Sequence, residues 1–174
     1  MIKKGAVMNF LIALWEIITN DVLLVPAFAW FVAQLLKLLI TAVVNRRFTA
    51  ERLIGDGGMP SGHSATVMSL AMMCGYTAGF DSTTFGLAMI FAVVVMHDAL
   101  GVRREAGKQA ISIIKMAEII NAYITEKDEN VKTEKLKTLV GHTPLQVVCG
   151  AFVGFVVFLL YLLVFKGIIV WVFD

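Results

Sequence analysis

The sequence predicts an all-α, polytopic membrane bundle, and three observations predict it. Of 174 residues, 59% are hydrophobic and only 16% are charged. Mean hydropathy is +0.82, well above that of an ordinary soluble domain. The charges are clustered between apolar stretches of roughly 17–24 residues, the length a helix needs to cross a hydrocarbon core. A chain of this length makes a single membrane domain, residues 1–174.

The first 20 residues, "MIKKGAVMNFLIALWEIITN", join two lysines to an apolar run interrupted by Asn9 and Glu16. Without a small-x-small cleavage site, this stretch is expected to be an interfacial or re-entrant helix. Residues 21–44 form the first span, ~36 Å long as a helix. Pro26 lies in its opening turns, where a missing N–H is tolerated. Shorter spans are expected at about Ser64–Phe80 and Thr84–Leu100, and the most apolar one at 145–165. The total is about four to five transmembrane helices. Between the last two spans lies a polar insert, residues 101–144. Ala106, Ala110, Ile113, Ile114, Ala117 and Ile120 fall there at helical spacing, which predicts an amphipathic helix against the membrane or the bundle. The charge-balanced stretch 125–138 reads as solvated.

Counting spans brings four clusters to one face: "NRRF" (45–48), "GGMPSGHS" (57–64), "HDALGVRR" (97–104) and "GHTPLQ" (141–146). Of the 15 Lys and Arg residues, all but Lys3, Lys4 and Lys166 lie on that side or in the span end leading to it. The positive-inside rule makes that face cytoplasmic. A net charge of +2, with no basic run interleaved with aromatics, argues against nucleic acid as a partner. Cys74 and Cys149, far apart in apolar stretches, read as small core residues.

The clusters also carry a chemistry. Guanidinium groups clasp phosphate oxygens in pairs, and a helix start adds backbone donors aligned with its dipole. In "PSGH", Pro60 suits a first helical turn, Ser61 can cap or donate, and Gly62 lets backbone approach an oxyanion. His63 and His142 stand at two helix entrances.

"GGMPSGHSA" (57–65) resembles the second signature of the type 2 phosphatidic acid phosphatase family, whose relatives include bacterial acid phosphatases and vanadium haloperoxidases. "HDALGVRREAGKQA" and "GHTPLQVVCGA", in that order, resemble its divergent branch in bacteria and plastids. The resemblance covers roughly residues 20–160. It implies a phosphatase that needs no metal or other cofactor and works through a phosphohistidine. His142 would be the nucleophile and His63 the proton donor to the departing oxygen. Ser61 and Gly62 would hold an equatorial oxygen, while Lys37, Arg46 or Arg47, and Arg103 or Arg104 would neutralise developing charge.

Three departures qualify the match. Lys37 is followed by Arg46, Arg47 and Phe48, a longer spacing than the family's first signature and without its proline. The arginines of "GVRR" lie almost 40 residues before His142, where the family keeps them close. Gln146 stands where the family has an acid that orients the nucleophile. An amide can orient an imidazole but cannot stabilise its positive charge. Asp98, at the face-side end of the third span, is expected to supply that carboxylate, since an acid there is costly unless used.

Each residue also has a plain alternative. Lys37 can snorkel to the surface, the arginines can anchor topology on anionic lipid, and His97 can be a packing residue. The expected function is a membrane phosphatase acting on a lipid phosphomonoester or diphosphate. The alternatives are a phospholipid-binding or lipid-moving protein that kept the phosphate pocket, or a structural subunit. Expected partners are a phosphorylated lipid substrate and membrane lipids, with homo-oligomerisation left open.

Overall fold

The computed structural model describes residues 4–45, 58–123 and 142–167. They form six helices: α1 (Lys4–Ile18), α2 (Asp21–Asn45), α3 (Gly62–Ala78), α4 (Thr83–Leu100), α5 (Val102–Tyr123) and α6 (Pro144–Tyr161). A π-helical turn, Leu162–Lys166, prolongs α6. Among the described residues there is no strand. The chain is thus an all-helical membrane bundle. Among the described residues, three runs are long and apolar enough to cross a bilayer: Asp21–Val44, Thr83–Ile120 and Pro144–Lys166.

Helix α3 sits at the centre and packs against α2, α4 and α6. Its 17 residues rise only ~25 Å, and it is rich in Ser, Gly, Thr and Ala. A helix walled in by protein needs no lipid-facing surface, and small side chains let its neighbours close on it. Ser61, Ser64, Ala65, Ser69 and Ala71 are fully buried. Against α6 the approach is closest. A Cβ on Gly150 would stand 2.3 Å from the Ser61 carbonyl oxygen, and one on Gly154 would stand 2.2 Å from that of Ala65. These two glycines, four apart, form the small-xxx-small seam that brings two helix backbones into contact.

Val25, Ala29, Met73, Val157 and Phe158 join α2, α3 and α6 in a core at the other end of the bundle. Helix α4 is peripheral, with only Ala92 and Ala99 buried. In α1, every large apolar side chain from Val7 to Ile18 is exposed. The inward stripe of α5 is Gly107, Ala110, Ile114 and Ala117, while Ala106, Ile113 and Ile120 of the expected face are exposed. The expected set thus divides between an exposed side and the inward stripe. Gly107, which has no side chain to count, sets its phase at i, i+3, i+7 and i+10.

Cys74 is buried and Cys149 half-buried, both free. One boundary differs from expectation. The central helix starts at Gly62 rather than Ser64, because Ser61 is its N-cap. Pro60 therefore stands before the cap and outside the first turn.

Candidate active site

The site is assembled where α3 and α6 begin and α4 ends. Three backbone contacts fix it. The Ser61 N–H donates to the Gln146 carbonyl at 3.0 Å, and the His142 N–H donates to the Ala99 carbonyl at 3.0 Å. The Ala65 N–H closes the first α3 turn onto the Ser61 carbonyl at 3.1 Å. Stretches separated by up to 85 residues in sequence are thereby stitched at one end of the bundle.

His63 is the second residue of α3, and His142 immediately precedes Thr143, the N-cap of α6. Their ring centroids lie 6.0 Å apart with the planes tilted by 55°. His142 is 3% exposed and His63 is half-buried. Two helix N-termini therefore converge on a pair of imidazoles. Each terminus carries partial positive charge from its aligned peptide dipoles.

Ser61 is fully buried and caps α3. Its Oγ accepts from the Ser64 N–H at 3.3 Å and from the Ser64 hydroxyl at 3.1 Å. Those bonds engage the oxygen but leave the Ser61 proton to donate. Gly62 also packs closely, since a Cβ there would come within 3.2 Å of Trp30 on α2. With the Ser64 and Ala65 amides committed to Ser61, those of Gly62 and His63 are the donors of the first α3 turn.

Lys37 points inward. It is 3% exposed in the middle of a span, so its stem does not run outward to snorkel. Its Cγ and Cδ pack over Gly58, 3.2 and 3.3 Å from the position of a Cβ there. Gly58 has φ +108, a conformation side chains disfavour, so this position needs glycine both for its backbone and for the lysine laid across it. Gln34 and Thr41, one turn to either side of Lys37, are also buried. Together they make a polar stripe on α2, a placement that is costly in a membrane helix unless the stripe faces a polar interior.

Gln146 has a structural task. Its Oε1 accepts the Thr143 N–H at 3.0 Å, and Thr143 Oγ1 accepts the Gln146 N–H at 3.4 Å. This is a capping box closing α6, with Pro144 at its first position. Asp98 is half-buried in the last turn of α4, next to the Ala99 carbonyl that holds His142. His97 is exposed. Arg103 and Arg104 belong to the first turn of α5, at the same end of the bundle. Arg46 and Arg47 lie outside the described residues.

Sequence reasoning passed over the α2 wall of Trp30 and Gln34, the capping box and the glycine seam. The last two had readable signals, in "TPLQ" and in "GAFVG".

Comparison with known proteins bears on this assembly. Residues 18–157 match the model of the Divergent PAP2 family. The chain belongs to that family. Its match includes the Uncharacterized membrane protein YuiD of Bacillus subtilis (strain 168), 41% identical over 145 residues, covering 80% of this chain and 92% of that protein. No solved structure matches. The stretch matched to the family model takes in α2, α3, α4, α5 and most of α6, and hence every residue of the site.

Proposed function

We propose that this Divergent PAP2 member is a metal-independent membrane phosphatase that hydrolyses a phosphorylated lipid through a phosphohistidine. The observation that carries the proposal is the His63–His142 pair, 6.0 Å apart between two helix N-termini. Phosphate binding alone needs cations and amides. It does not need two imidazoles at that separation.

His142 is the nucleophile. It attacks phosphorus, and the P–O bond to the lipid alcohol breaks with its electron pair going to oxygen. His63, protonated at the start, gives that oxygen a proton. Water then attacks the phosphohistidine while His63 takes the water's proton, and the P–N bond breaks to release orthophosphate. Lys37 and the Gly62 and His63 amides stabilise charge on the equatorial oxygens, with Arg103 or Arg104, and Arg46 or Arg47, as further cations. Asp98 holds the His142 imidazolium. Charge asymmetry supports a site on the cytoplasmic face of a bacterial plasma membrane.

Phosphate release by the purified, detergent-solubilised chain tests this, with EDTA present. The substrates are phosphatidate, a polyprenyl phosphate, a polyprenyl diphosphate and a soluble phosphomonoester. Release from a lipid substrate that vanishes in His142→Ala is the expected result. Release from none of them, or release unchanged in His142→Ala, contradicts the proposal.

One observation favours a second reading. The side chain at the family's acid position, Gln146, is spent on a helix cap, as suits a phospholipid binder that has lost turnover. Lipid phosphate retained by wild type and lost in Lys37→Ala, without any release, would support the binder.

A further inference from the structure

At the membrane face opposite the histidines, the first turns of α2 meet the end of α6 in a concave groove of about 560 Å³. Val25 and Val157, both buried, form its floor, and Leu24, Phe28, Leu160 and Val164 form its walls. Its polar groups are Asp21, Tyr161 and Lys166. The Tyr161 hydroxyl donates to Asp21 Oδ2 at 2.5 Å, and Lys166 Nζ lies 3.9 Å from the same oxygen. The segment supplying Val164, Phe165 and Lys166 is the π-helical turn, Leu162–Lys166. Such wide turns are rare and are often found at functional sites. Phe165 stacks on Tyr161, centroids 5.6 Å apart.

We propose that this groove is a binding site for one bilayer phospholipid, with an acyl chain between α2 and α6 and its anionic phosphate on Lys166. Three arguments select that occupant. All the lining residues belong to two membrane spans, so the surrounding medium is lipid. Seven of its ten lining residues, Leu24, Val25, Phe28, Val157, Leu160, Val164 and Phe165, are apolar, which suits an acyl chain. Finally, the Asp21 oxygen facing Lys166 already accepts the Tyr161 hydroxyl, and a 3.9 Å contact engages at most one of the three ammonium donors. The others can serve an anion at the interface. This site is separate from the histidine pair and does not depend on phosphatase activity.

Native mass spectrometry of the full chain, titrated with phosphatidylglycerol, tests it. Wild type is expected to retain one lipid. Leu160→Trp, which fills the groove, and Lys166→Glu, which reverses its charge, should each weaken retention at least tenfold. Leu163→Trp, on a 70% exposed position that does not line the groove, should retain it as wild type does. Adding inorganic phosphate should not displace the lipid. Equal retention in all four proteins, displacement by free phosphate, or a dimer in place of the lipid adduct would overturn the site. Should Leu160→Trp fail to fold, wild type photolabelled with phosphatidylglycerol carrying an acyl-chain diazirine decides. Label concentrated on 21–28 and 157–166 supports the groove, and label spread over all lipid-facing helices refutes it.

Discussion

The roles proposed for His63 and His142 rest on position. An imidazole at a helix entrance sits beside unpaired amides and a positive dipole end, where an anion is stabilised. That was legible in the sequence, because "PSGH" and "GHTP" each announce a helix start. Lys37 was not legible to the same degree. A lysine seven residues from a span end can snorkel or turn inward, and only the packing over Gly58 decides between them. Gln146 was legible as a missing acid but not as one half of a capping box, since its partner is a backbone N–H. If Asp98 stabilises the His142 imidazolium, Asp98→Asn should lower phosphate release by about 10⁴-fold, the loss an acid-to-amide exchange produces in a serine-protease triad. His63→Ala should lower it by about 10²–10⁴-fold, as loss of a general acid does. An Asp98→Asn enzyme with normal turnover would remove Asp98 from the site.

At the scale of elements, the site depends on how tightly α6 lies on α3. The Gly150–Gly154 seam lets the two backbones meet, and that meeting places Ser61 against Gln146. Gly150→Ala puts a methyl 2.3 Å from the Ser61 carbonyl oxygen, so one helix must shift. Overpacking of this kind costs about 1–3 kcal/mol, and a lowered melting temperature in detergent, with loss of phosphate release, is expected. Thr143→Ala removes the α6 cap and should cost about 1 kcal/mol, seen as a smaller fall in the same measurement. The spans were readable from length and hydropathy. The central place of α3 was not, because hydropathy measures contact with lipid and α3 is sheltered from it. Its serines and glycines looked like a weak span and proved to be the surface the other helices pack on.

For the molecule as a whole, the helix order puts the starts of α3 and α6 and the end of α4 at one face, with Asp21, Tyr161 and Lys166 at the other. Lys and Arg crowd the histidine face, so a reporter fused within 125–138 should be cytoplasmic. A periplasmic reporter would turn the whole bundle over. Connectivity made the shared face readable before any coordinates, and charge gave its expected orientation. The groove was not readable, since it arises from the shape of two helix ends rather than from a motif. The central claim is a covalent phosphoryl group on His142. Brief incubation with a ³²P-labelled lipid phosphate, followed by an alkaline quench and peptide mapping, tests it most directly. The prediction is an acid-labile, base-stable label on the peptide carrying His142, lost in His142→Ala. Phosphate release with no label at His142, or with the label on another residue, would contradict it.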